Sequence, residues 1–76
     1  MDEILNKQIY EFSIVIRELR IQYHYTQKYV ASQLGISYQS YQAYELGLTL
    51  PSLQNFLKLA KLYDVSLDYL VGNKQY

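Results

Sequence analysis

Gln39 and Gln42 stand three residues apart, a spacing that sets two side-chain amides on one face of a helix. An amide donates and accepts at once, so such a pair suits hydrogen-bond recognition better than proton transfer. Hydroxyls surround them at Thr26, Ser37, Ser40 and Thr49, with phenols at Tyr38, Tyr41 and Tyr44. Catalytic and metal chemistry is poorly supplied by comparison. The chain holds one histidine, His24, and no cysteine. No second imidazole, thiolate or converging carboxylates complete a site. The expectation is a protein that is not an enzyme and needs no metal or cofactor, with His24 read as a residue tolerated in a left-handed helix cap.

Five helices would position these groups. Ile9, Phe12, Ile16, Leu19 and Tyr23 recur at steps of three or four, which predicts a first helix ending near Tyr23. Thr26 is a good N-cap for a two-turn helix over Gln27 to Leu34, stopped by Gly35. Ser37 caps again almost at once and opens a third helix, Tyr38 to Glu45, before Gly47. A connection this short makes the second and third helices cross steeply. Beyond Pro51 and Ser52, the residues Leu53, Phe56, Leu57, Ala60 and Tyr63 form a fourth amphipathic stripe, broken at Asp64. Ser66 caps a short fifth helix whose Asp68 suits the helix dipole and whose Leu67 and Leu70 are expected to close the core before Gly72.

The 76 residues are enough for one all-α domain, 1–76, with a single core. Lacking cysteine, that core must be held by packing. No apolar run approaches the roughly 20 residues of a membrane span, and Met1-Asp2-Glu3 is unlike the basic flank of a signal peptide. A cytoplasmic protein is expected. Seven basic residues balance seven acidic ones, and between Lys28 and Lys58 the only charge is Glu45.

The order and spacing of certain residues carry a resemblance. They are Leu19-Arg20, Thr26-Gln27, Ala31, Leu34-Gly35-Ile36-Ser37, Tyr44-Glu45-Leu46-Gly47, Pro51-Ser52-Leu53, Lys58-Leu59-Ala60 and Val65-Ser66-Leu67-Asp68. Over residues 16–72, about three quarters of the chain, the sequence resembles the Cro/phage-repressor (xenobiotic response element type) helix-turn-helix family. The resemblance implies a five-helix lambda-repressor-like fold in which helices 2 and 3 form the helix-turn-helix. It also implies that Arg20 and Glu45 pair as a structural brace, and that helix 3 lies in the major groove of duplex DNA. By position Tyr38, Gln39, Gln42 and Ala43 would meet base edges. A glutamine there matches adenine N6 and N7, and the Tyr38 ring could meet a thymine methyl or a sugar.

In the same family the residue at Gln27 touches a phosphate and braces the first reading residue. Thr26, Lys28, Ser40, Arg17 and Thr49 are further expected backbone contacts, with Lys7 a more distant cation. Tyr41 and Tyr44 are read as packing residues, and Tyr41, if buried, needs a hydroxyl partner. The sequence departs from the family after helix 3. Where relatives place lysine or arginine, this chain reads Leu46-Gly47-Leu48-Thr49-Leu50. The expected function is a sequence-specific transcriptional regulator, a repressor on a palindromic operator. It would act as a homodimer, with Tyr69, Val71 and Tyr76 as candidate pairing residues. The alternative is a helix-turn-helix scaffold that has lost strong DNA binding and docks a protein partner through the Leu46–Leu50 loop.

Overall fold

A computed structural model describes residues 3–73 and contains five helices: α1 (Glu3–Gln22), α2 (Gln27–Leu34), α3 (Tyr38–Glu45), α4 (Leu53–Tyr63) and α5 (Leu67–Leu70). Four of them begin on a hydroxyl side chain. Thr26, Ser37, Ser52 and Ser66, all extended in backbone, accept from the amides of Tyr29, Ser40, Asn55 and Tyr69 at 3.0 to 3.2 Å. Each cap satisfies one of the amides that a helix start leaves without an intrahelical acceptor. Gly35 ends α2 at φ 72°, where a side chain would be strained, and its amide closes back on the carbonyls of Ala31 and Ser32. His24 and Asp64 adopt the same left-handed region at φ 58° and 53°.

The core is built from Phe12 and Ile16 of α1, Val30 and Leu34 of α2, Tyr41 of α3, Leu59 and Tyr63 of α4 and Leu70 of α5. α2 packs on α3 and α4, α1 on α3 and α5, and α4 on α5. Gly72, just after α5, lies tightly against α1. A Cβ added at Gly72 would lie 2.7 Å from the Glu11 Cβ, so only glycine fits there without movement. Lys58 of α4 donates its ammonium to the Leu34 carbonyl at 3.2 Å, placing a cation on the negative end of α2.

Three expectations need correction. α1 starts at Glu3, before the first periodic apolar residue, with an acidic side chain in its first turn. Leu67 does not close the core, being 39% exposed, and Leu53 and Leu57 of the α4 stripe are 68% and 47% exposed, while the buried face of α4 joins Leu59 to the expected Tyr63, with Phe56 and Ala60 packed beside them. α1 ends at Gln22, as expected, but Tyr23, read as part of its apolar face, is exposed, and its hydroxyl donates to the Tyr63 carbonyl at 2.8 Å. Among the described residues no helix is long and apolar enough to cross a membrane.

Candidate nucleic-acid interface

Glu45, the last residue of α3, is the polar centre of the α1–α2–α3 junction. Arg20 meets it with two parallel bonds, Nε to Oε2 at 2.6 Å and Nη2 to Oε1 at 3.1 Å, and gives Nη1 to the Tyr25 carbonyl at 3.2 Å. The side chains of the pair are only 16% and 5% exposed. The buried Tyr41 hydroxyl donates to Oε2, and the Gln27 amide nitrogen donates to Oε1 at 2.9 Å. Burial alone would push the Glu45 carboxyl up. The hydrogen bonds from Arg20, Tyr41 and Gln27 outweigh it and hold the group below its ordinary range. Tyr41 is pushed well above the ordinary phenol range, first by burial and then by its bond to Glu45.

From this centre a line of polar side chains runs to the start of α3. The Tyr38 hydroxyl donates to Gln27 Oε1 at 3.3 Å and accepts from Gln42 Nε2 at 3.0 Å. The Lys28 ammonium lies 5.5 Å from the centre of the Tyr38 ring, within cation–π range. Gln27, Lys28, Tyr38 and Gln42 thus form one connected set. Gln39 is exposed, while Ala43 is half-buried one turn further along α3. Exposed Ser40 accepts from the Ser37 hydroxyl at 2.9 Å, and exposed Thr26 is occupied as the cap of α2. Thr49 is exposed and bonds only the neighbouring Leu50 carbonyl, at 3.3 Å, among the described residues.

Phe12 of α1 meets the Tyr44 ring edge-on, and Tyr44 meets Tyr41 in the same way within α3, so the inner side of α3 packs on α1. Asn55 of α4 adds a bond to the Tyr44 hydroxyl at 3.3 Å. A short helix packed on one side by aromatic rings, joined through a three-residue turn to a capped partner helix and carrying amides at its surface, has the form of a helix-turn-helix. A family model described as helix-turn-helix matches residues 16–70. The chain belongs to the helix-turn-helix family. Its five-helix architecture is the lambda-repressor-like form of that fold, with α2 and α3 as the helix-turn-helix proper.

Curated relatives of this helix-turn-helix include an uncharacterized HTH-type transcriptional regulator, YobD, from Bacillus subtilis, 40% identical over 57 residues, or 75% of this chain and 51% of the relative. The cryptic phage CTXphi transcriptional repressor RstR from Vibrio cholerae is 39% identical over 64 residues, 84% of this chain and 58% of the relative. The regulator ImmR from Bacillus subtilis is 38% identical over 60 residues, 79% of this chain and 47% of the relative. The chain therefore spans about half the length of the curated relatives it matches. No solved structure gives a match.

The cations of this helix-turn-helix are sparse and partly engaged. Lys28 sits over Tyr38, and Lys58 caps α2. Arg17 is exposed beside a surface cavity of about 300 Å³ that it lines with Tyr10, Ser13, Ile14, Glu45 and Leu46. In the loop after α3, Leu46 and Leu48 are 71% and 69% exposed. Tyr69 and Val71 are half-buried, and Tyr76 lies outside the described residues.

Proposed function

We propose that this chain is the DNA-reading domain of a sequence-specific transcriptional regulator, a repressor that sets α3 into the major groove of a palindromic operator. The observation that carries the reading is the mounting of α3. Its inner residues Tyr41 and Tyr44 are buried, its start is tied to α2, and its surface offers the amides of Gln39 and Gln42 beside Tyr38 and Ala43. Backbone contacts fall to Thr26, Gln27, Lys28, Ser40, Arg17 and Thr49, with the free amides at the start of α2 able to hold a phosphate without added charge. The three relatives named above, two transcriptional regulators and a phage repressor, support the same class.

The active species in this reading is a homodimer working in the cytoplasm. The described domain measures 31 Å in its longest dimension. Two copies therefore fit half-sites about 34 Å apart, one helical turn of DNA. A second reading is favoured by the exposed Leu46 and Leu48, which could dock a protein partner in place of the usual basic clamp. Selection of bound sites from a pool of random duplexes by the purified protein tests both. Enrichment of a two-fold symmetric site is the expected result. Absence of enrichment at low salt would overturn the DNA-reading assignment in favour of protein docking.

A further inference from the structure

Glu45 imposes a direction on each hydrogen bond that leads from it to the surface of α3. An ionised carboxylate has no hydrogen to give, so the Gln27 amide must meet Oε1 with its nitrogen, as it does at 2.9 Å. That turns the Gln27 carbonyl oxygen toward Tyr38, whose hydroxyl donates to it at 3.3 Å. A hydroxyl whose one hydrogen is committed can only accept from another neighbour, and it accepts from the Gln42 amide nitrogen at 3.0 Å. Gln42 is left with its carbonyl oxygen and one amide hydrogen. Among the described residues that oxygen takes no bond from the protein, and it is not sealed from solvent.

We propose that Tyr38 is a positioning residue that holds the Gln42 amide in the one sense that reads adenine and rejects guanine, with Glu45 as the anchor of the relay. The inference rests on the reading of α3 as the DNA-reading helix. A free glutamine amide can serve either purine. Its oxygen and one hydrogen match adenine N6 and N7, while its two hydrogens turned the other way match guanine O6 and N7. With one hydrogen held by Tyr38, the doubly donating arrangement is closed. The adenine arrangement needs only the groups that remain.

The test compares the intact protein with Tyr38→Phe, which keeps the ring and removes the hydroxyl. In the free proteins, nitrogen-15 side-chain spectra should show slowly exchanging amide protons for Gln27 and Gln42, and the Gln42 signals should move to the free-glutamine position in the variant. In site selection, Gln42→Ala marks the base pair that Gln42 faces by abolishing preference there. At that pair the parent should select adenine, and Tyr38→Phe should accept guanine with the adenine preference reduced about tenfold. If Tyr38→Phe fails to fold, Gln27→Met supplies the same comparison, because it frees the Tyr38 hydroxyl to donate and lets the Gln42 amide turn over. An unchanged preference in the variant, a uniform loss of affinity at all base pairs, or selection of another base by the parent would each overturn the proposal while leaving DNA reading in place. Failure of the parent to select any site would instead bring down the DNA-reading assignment, and this inference with it. The spectra report the relay without DNA, so the two failures are told apart.

Discussion

Glu45 receives hydrogen bonds from a guanidinium, a phenol and an amide, and such a carboxylate is costly to disturb. Removing the cation leaves a nearly buried charge without its main partner. Arg20→Ala should therefore lower unfolding stability by about 2–3 kcal/mol in a denaturant titration, and an unchanged midpoint would refute the brace. The pH dependence follows from the direction of the Glu45 shift. Its folded value lies below its unfolded one, so its contribution is complete above the unfolded value of about 4.3 and is lost as pH falls through the folded value. The expected outcome is a loss of stability on acidification below about pH 4 that is weaker in Glu45→Gln than in the parent. The pairing of Arg20 with Glu45 was legible through the family resemblance, and the need of Tyr41 for a hydroxyl partner was legible from its size and place. The relay through Gln27, Tyr38 and Gln42 was not. It joins residues 4, 11 and 18 positions apart, and the sense of each bond depends on the rotamers of three adaptable side chains.

At the scale of the helix, the end of α2 depends on a single backbone conformation. The nearest atom to a Cβ added at Gly35 would be the Lys58 ammonium at 4.0 Å, so space is not the obstacle and the cost of substitution is conformational. Gly35→Ala should destabilise the fold by about 1 kcal/mol by thermal or denaturant unfolding, whereas a cost near zero would show that the turn can relax. The bounds of α2 to α5 could be read from sequence because each start carries a hydroxyl cap and each end lies at a glycine or, for α4, at Asp64. α1 could not be bounded in this way. The periodic stripe begins only at Ile9, and helix-forming residues such as Glu3, Lys7 and Gln8 extend the helix ahead of it. The stripe of α4 was read correctly at Phe56, Ala60 and Tyr63 but not at Leu53, Leu57 and Leu59, which look alike in sequence, and only packing against α2 and α5 selects Leu59 for the interior.

The balance of charge across the whole molecule gives the DNA-reading assignment a quantitative check. Each phosphate neutralised by lysine or arginine releases counterions and adds about 0.9 to the slope of log affinity against log salt. With Arg20 held by Glu45, and Lys28 and Arg17 as the cations expected to reach the backbone, the expected slope is about two to four per dimer. Leu48→Lys should raise affinity for specific and random duplex alike, since a point charge reads no base. Titrations at several salt concentrations decide the matter, and a slope of about eight or more would mean that other cations reach the backbone. The tyrosine-rich interior has a consequence for optical work on this protein. The chain has ten tyrosines and no tryptophan, so phenol absorbance is its natural near-ultraviolet reporter. Tyr63 is buried with no partner for its hydroxyl among the described residues, and burial pushes its ionisation above the ordinary range, as it does for Tyr41. A raised value stabilises the folded state below the unfolded phenol range of about 10 and less with each step above it. An alkaline titration should therefore finish with Tyr41 and Tyr63 only as the fold gives way, so the late tyrosinate band doubles as a record of unfolding.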